Sequence, residues 1–103
     1  MNFGSAIVLL ENGNLLAREG WNGRGMFVCK QVPCEIPDTI VPNMQSLPQK
    51  AKDEFIKRFN HDGVIFDSIS YCSQMIIVDS NNQINSWVPS SSDIFATDWV
   101  IYE

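Results

Sequence analysis

The sequence predicts an α+β fold, a small antiparallel β-sheet with an N-terminal helix and a second helix packed on it. Apolar residues near the N terminus recur at helical spacing, and the second half of the chain is rich in β-branched and aromatic residues. Clusters of Gly, Asn, Asp and Ser separate these runs, as turns do. A length of 103 residues favours one domain, residues 1–103.

The first helix is predicted over residues 2–12. Its inward face comes from four apolar residues at i, i+3, i+4 and i+7 spacing: Phe3, Ala6, Ile7 and Leu10. Asn2 is an expected N-cap and Gly13 an expected C′ residue. Residues 15–19 and 26–32 are predicted to form a hairpin, because residues 20–25 contain three glycines and form a turn.

The middle of the chain predicts a loop followed by a helix. Residues 33–48 contain four prolines and are expected to be an extended loop. Pro48 fits the first turn of a helix over 48–59, with Asp62-Gly63 after it. Ala51, Phe55 and Phe59 are expected to face inward. Two i,i+4 ion pairs support the helix: Asp53–Lys57 and Glu54–Arg58.

The remaining residues predict strands at 64–66, 71–78, 84–88 and 99–102. Residues 79–83 supply a polar turn. Residues 90–93, Ser-Ser-Ser-Asp, offer N-caps for a short helical turn through Ala96.

Composition argues against several functions. The net charge is −5, and residues 59–103 hold six acids and no lysine or arginine, so we expect no DNA or RNA partner. No run approaches the ~20 apolar residues of a membrane span. Residues 1–4 lack the basic start of a signal peptide, so the sequence predicts a cytoplasmic protein without a membrane partner.

Catalytic and metal chemistry also lack support in the sequence. Three cysteines without paired spacing and a single histidine, His61, predict neither a disulfide framework, nor a metal site, nor a cofactor. A pair between Cys29 and His61 would need long-range folding, and no two carboxylates stand out as a catalytic pair. We therefore expect no enzyme.

Two segments have the composition of binding surfaces. Residues 18–27 place Trp21, Asn22, Arg24 and several glycines in one turn, where an indole can stack on a base and an arginine can pair with phosphate. Residues 87–93, followed by Asp98-Trp99, place three serines before a helical turn, a common anion or sugar site. The structural alternatives are a tight hairpin with a core tryptophan and an N-cap cluster.

The N-terminal helix followed by "AREGWNGRGMF" and, later, "SWVPSSSDIFATDWVIYE" resembles the phage-encoded Thoeris anti-defence proteins of the second type. The resemblance covers both ends of the chain, and residues 33–70 support it only weakly. It implies a homotetrameric sponge that sequesters glycocyclic ADP-ribose in the host cytoplasm, in pockets between subunits and without degrading it. Some relatives also bind cyclic dinucleotides at separate sites.

The resemblance implies a set of ligand-binding residues in the two segments: Trp21, Asn22, Gly23, Arg24, Met26, Ser90, Ser91, Ser92 and Asp93. One alternative function is a phosphodiesterase-type enzyme that degrades a cyclic nucleotide signal. Another is an interaction module that blocks a host protein through a contiguous apolar surface.

Overall fold

The computed structural model describes residues 1–21, 25–59 and 66–103. The described elements follow in chain order: α1 Phe3–Glu11, β1 Leu16–Arg18, β2 Phe27–Lys30, β3 Cys34–Pro37, a 3-10 helix Val41–Asn43, α2 Gln49–Phe59, β4 Ser68–Tyr71, β5 Met75–Val78, β6 Ile84–Ser86, α3 Ser91–Phe95 and β7 Trp99–Ile101. They confirm the predicted α+β class. The elements fall into two compact units, residues 1–32 with 73–103 and residues 33–72.

The first unit contains a five-stranded sheet in the order β6-β5-β2-β1-β7, and all its pairings are antiparallel. The predicted hairpin is confirmed, with Leu16 opposite Val28. On its other side β1 pairs with β7, which sets Arg18 opposite Trp99. The N- and C-terminal segments therefore share the centre and one edge of the same sheet.

Helix α1 covers one face of this sheet. Ala6 and Leu10 are buried from the helix side, and Leu16, Val28 and Trp99 are buried from the sheet side. The helix begins where predicted, because the side chain of Asn2 accepts a hydrogen bond from the Ser5 N–H at 2.9 Å. It ends before Gly13, whose φ of +89° suits a C′ glycine.

The second unit corrects the prediction of an extended loop over residues 33–48. Cys34–Pro37 form a strand that pairs with β4, with Cys34 opposite Tyr71 and Pro37 opposite Ser68. A 3-10 helix follows, with Pro42 in its first turn. Proline is compatible with both places, since it fits the end of a strand in a two-stranded sheet and the start of a helix. The four prolines therefore delimit short elements.

Helix α2 begins one residue after Pro48, whose carbonyl accepts hydrogen bonds from the N–H groups of Ala51 and Lys52. The predicted Glu54–Arg58 ion pair forms at 3.3 Å, and Asp53 accepts a hydrogen bond from Gln49. The helix ends at Phe59. Asp62 and Gly63, expected after its end, lie outside the described residues.

The prediction of one long strand over residues 71–78 is wrong. Residues 72–74 interrupt it, because β4 pairs with β3 in the two-stranded sheet while β5 pairs with β2 in the five-stranded sheet. The predicted strand at 64–66 falls mostly outside the described residues, and Phe66 is not in a strand. Strand β6 ends at Ser86, two residues earlier than predicted. The turn before it is confirmed: Asp79 accepts hydrogen bonds from the N–H groups of Asn81 and Gln83.

Across the described ranges, no helix has the length and apolar content needed to cross a membrane.

Candidate ligand-binding site

The start of the glycine-rich turn is attached to the strand that closes the sheet. Beyond Arg18 the backbone N–H of Glu19 donates to the carbonyl of Asp98 at 3.1 Å, and the N–H of Gly20 donates to Asp98 Oδ2 at 2.9 Å. The N–H of Trp21 turns back to the Arg18 carbonyl at 3.1 Å. A Cβ atom at Gly20 would lie 3.1 Å from Asp98 Oδ2, so glycine permits this close approach.

The serine segment forms a capped helical turn. Ser90 is the N-cap of α3, and its hydroxyl accepts from the Asp93 N–H at 3.2 Å. Asp93 Oδ2 accepts in return from the Ser90 N–H at 2.8 Å and from its hydroxyl at 2.9 Å. This reciprocal capping box confirms the N-cap cluster expected from the sequence. The indole Nε1 of Trp99 donates to the Asp93 carbonyl at 2.9 Å, which fixes α3 against the core.

Arg18 joins the two segments. Its Nε donates to Asp98 Oδ1 and its Nη1 to Asp93 Oδ1, both at 2.9 Å. The side chains of Arg18, Asp93 and Asp98 are 19%, 13% and 29% exposed, so the cluster is partly shielded from bulk water. We refer to these three residues as the Arg18 clasp. It holds together residues that are 75 and 80 positions apart in the chain.

The charges of the clasp stabilise one another. Hydrogen bonds to Asp98 and then to Asp93 raise the pKa of Arg18. The Arg18 hydrogen bond and the Gly20 N–H lower the pKa of Asp98. Burial alone would raise the pKa of Asp93, but the Ser90 and Arg18 hydrogen bonds outweigh it and the pKa falls. All three groups are therefore charged at neutral pH.

A cluster of aromatic rings is centred on Trp99, whose indole is bonded to the backbone of Asp93. Trp99 is fully buried, and Trp21 and Trp87 both meet it edge-on, at ring separations of 5.5 and 6.0 Å and interplanar angles of 78° and 76°. Phe3 of α1 contacts the same indole at 5.6 Å. Trp21 and Trp87 are only half-buried, so part of each indole remains accessible. An accessible indole can stack on a planar base.

The predicted ligand-binding residues that the structure describes differ in their burial. Trp21 packs against the core, and Met26 is half-buried just before β2. Asn22, Gly23 and Arg24 lie outside the described residues. Ser91 and Ser92 are exposed in the first turn of α3. Both carboxylate oxygens of Asp93 accept hydrogen bonds from the protein itself.

Sequence reasoning did not assign a role to Arg18 or Asp98, although both lie in the two segments it selected. The spacing along the chain carries no sign that they meet. Their contact depends on the pairing of β1 with β7, which places the ends of these strands side by side. A prediction of strand order would have found the pair.

The thiol of Cys29 is not activated. Cys29 is half-buried and its pKa is raised by burial, which favours the protonated, less nucleophilic form. Cys34 and Cys72 are exposed free thiols. Within residues 1–21, 25–59 and 66–103, no three or more His, Cys, Asp or Glu side chains lie close enough to hold a metal ion. His61 lies outside those ranges.

Each unit also carries a groove. In residues 33–72 a groove of about 250 Å³ lies between α2 and β4, with Phe55, Phe59, Phe66 and Arg58 among its lining residues. In the other unit a groove of about 280 Å³ lies beside the C-terminal end of α1, with Lys30 and Glu11 at its wall.

Comparison with known proteins gives two matches. A family model described as "Tad2-like: Thoeris anti-defense 2-like domain" matches residues 1–102. A curated protein named "Thoeris anti-defense 2", from Bacillus phage SP01, is 29% identical over 102 residues, covering 98% of this chain and 93% of that protein. Both matches include the two segments joined by the Arg18 clasp.

Proposed function

Because this chain belongs to the Thoeris anti-defense 2-like (Tad2-like) family and therefore has an anti-defence role, we propose that it acts as a sponge. It binds glycocyclic ADP-ribose, the signal of the Thoeris system, and keeps it intact and away from its effector. The ligand site comprises the glycine-rich turn after β1 and the serine segment that begins α3. The protein works by sequestration, without catalysis.

The observation that carries this proposal is the junction made by Arg18. Two segments with nucleotide-binding composition, distant in the chain, are brought together by one guanidinium group at 2.9 Å from each of two carboxylates. Trp99 is in contact with both segments, since its indole packs edge-on against the half-buried Trp21 and donates to the Asp93 carbonyl in α3.

Each described group has a role suited to its chemistry. Trp21 stacks on the adenine base through the accessible part of its indole. Ser91 and Ser92 present hydroxyls and N–H groups from the first turn of α3 to ribose or phosphate oxygens. Asp93 shapes this end of the site through the cap and the clasp, since its oxygens are already engaged.

The pyrophosphate is assigned to Arg24, a residue that lies outside the described ranges. The clasp carries one positive and two negative charges, so it leaves a net charge of −1 beside the site. An anionic ligand needs a compensating cation, and Arg24 supplies that charge.

A second copy of the chain completes the pocket. A domain of 103 residues cannot easily enclose a nucleotide within its own small core. A closed symmetric homo-oligomer, the tetramer that the resemblance implies, solves this by forming pockets between subunits. Light scattering at micromolar concentration is expected to give a mass several times 11.6 kDa. A monomer that binds tightly would contradict this part of the proposal.

Cyclic dinucleotides are proposed as second ligands at a separate site. The groove in residues 33–72 favours them, because it combines three phenylalanine rings with Arg58 and the hydroxyl-bearing strand β4. Saturating the protein with glycocyclic ADP-ribose should leave the affinity for a cyclic dinucleotide unchanged if the sites are separate. Mutual competition would place both ligands in one site.

Isothermal titration calorimetry with purified glycocyclic ADP-ribose tests the main proposal. We expect saturable binding with at most one ligand per subunit. The same titration with ADP-ribose, which lacks the ring closure, is the control. An absence of heat and of any mobility shift with the cyclic ligand would contradict the proposal. A protein-interaction module would then be the remaining reading.

A further inference from the structure

The Arg18 clasp has the geometry of a device that orders the ligand site before the ligand arrives. The guanidinium group spans from Asp98, whose other oxygen holds the Gly20 N–H, to Asp93, whose other oxygen holds the Ser90 N-cap. Each carboxylate therefore connects Arg18 to the backbone of one binding segment. Four hydrogen bonds thus form a continuous chain from the Gly20 backbone, through Asp98, Arg18 and Asp93, to the Ser90 backbone.

We infer that Arg18 is a positioning residue, which fixes residues 19–21 relative to the N terminus of α3 and so preforms this part of the site; this inference rests on the proposed function. Arg18 does not itself contact the ligand. Its Nε and Nη1 atoms point at carboxylates, and its side chain is 19% exposed. An arginine that bound phosphate directly would present this face of its fork to the ligand.

Arginine is required for this task because its planar fork can donate in two fixed directions at once. A lysine at position 18 has a single ammonium group on a flexible stem, so it can pair with one carboxylate while releasing the other. A neutral side chain would leave both carboxylates partly shielded and unpaired, and their repulsion would push the two segments apart.

Loss of Arg18 is expected to slow the association of the ligand with the protein. When only a fraction of the free protein has the binding arrangement, the apparent affinity falls by that fraction. The off-rate stays unchanged, because the bound complex makes the same contacts with the ligand. Loss of a direct ligand contact acts mainly on the off-rate instead. The two rates therefore separate positioning from contact.

The kinetic test compares Arg18→Met, Arg18→Lys and Asp98→Asn with the wild type, by stopped-flow binding of glycocyclic ADP-ribose at 10 °C to favour folded protein. We expect Arg18→Met to lower the association rate by about tenfold and to leave the dissociation rate within about twofold, with Arg18→Lys in between. Lys57→Met is the control for the loss of one positive charge, since Lys57 is exposed on α2 and is not among the residues that line the groove.

A second arm needs no ligand. Amide hydrogen exchange by NMR reports on Glu19 and Gly20, whose N–H groups bond to Asp98. We expect both to exchange faster in Arg18→Met, while the amides of β2, Phe27–Lys30, keep their rates. If Arg18→Met is too unstable for study, Arg18→Lys and Asp98→Asn give the same comparison.

The outcomes are distinguishable. A raised dissociation rate in Arg18→Met would make Arg18 a ligand contact and overturn the inference. Unchanged rates with a lower melting temperature would reduce the clasp to a stabilising contact and overturn it as well. Wild-type protein that fails to bind the cyclic ligand would refute the proposed function, and unchanged exchange at Glu19 and Gly20 would refute the clasp.

Discussion

Replacing Trp21 by alanine is expected to reduce both the stability of the protein and its affinity for the ligand. Truncating a fully buried tryptophan costs ~3–5 kcal/mol, so about 2 kcal/mol is expected for the half-buried Trp21, including its edge-on contact with Trp99. For a domain of this size ~1 kcal/mol shifts the melting temperature by ~4–8 °C. The variant should therefore melt roughly 8–16 °C earlier.

The same substitution removes the stacking surface for the base. A stacking aromatic contributes ~1–3 kcal/mol per base, which corresponds to a loss of about ten- to a hundredfold in affinity. Calorimetry well below the melting temperature measures this loss on folded protein. Trp21→Phe retains a ring and should retain most of the affinity. Phe3→Ala is the matched control, since Phe3 is also half-buried and packs on Trp99 but lies on α1, outside both binding segments.

The control separates the two roles of Trp21. Both alanine variants should lose similar stability, but only Trp21→Ala should lose affinity by tenfold or more. A Trp21→Ala protein that melts early yet binds normally while folded would refute the reasoning. The turn would then be scaffold, and the base would stack elsewhere.

Three further predictions concern the supports of the site. Ser90→Ala removes the N-cap of α3 and should lower the free energy of unfolding, measured with denaturant, by ~1 kcal/mol. Ser91→Ala, at an exposed position in the same turn, should change it by less than ~0.5 kcal/mol. Equal effects of the two substitutions would mean that the cap contributes nothing. Gly25→Ala forces an L-residue into a φ of +81° and should destabilise the protein by ~1–2 kcal/mol. Gly4→Ala, within α1, should instead stabilise it by ~0.5–1 kcal/mol. A Gly25→Ala protein as stable as the wild type would contradict the backbone conformation at Gly25. The lowered pKa values of Asp93 and Asp98 predict that the clasp stabilises the fold above the ordinary carboxyl range and that this contribution is lost as pH falls through the lowered values. The difference in melting temperature between wild type and Asp98→Asn should thus be constant from pH ~7 to ~5 and shrink below pH ~4, and a gap that widened on acidification would reverse the sign of the argument.

Local patterns in the sequence predicted the local structure well. The helix over Phe3–Glu11, with Asn2 as its cap, follows from apolar spacing and a polar residue before it. The β1–β2 hairpin and the capping box at Ser90 also follow from neighbouring residues. In each case the residues that decide the conformation lie within a few positions of one another.

The failures arose where distant pairing decides the structure. Residues 71–78 have the composition of one strand, yet the chain leaves one sheet and enters another at residues 72–74. Cys34–Pro37 form a strand because β4 is available as a partner, not because their own sequence favours it. The same limit applies to the site, where Arg18 meets Asp93 and Asp98 only through the pairing of β1 with β7.

The central claim is that the signal is held and not consumed. Incubate the protein with a tenfold molar excess of glycocyclic ADP-ribose for several hours, and with an equimolar amount in parallel. Remove free ligand by filtration from the equimolar sample, heat-denature the retained protein, and quantify the released nucleotide by mass spectrometry. Sequestration predicts that the released nucleotide is the intact cyclic ligand and that the excess sample contains no new product. Linear or cleaved product in molar excess over the protein would show turnover, and the chain would be an enzyme that destroys the signal.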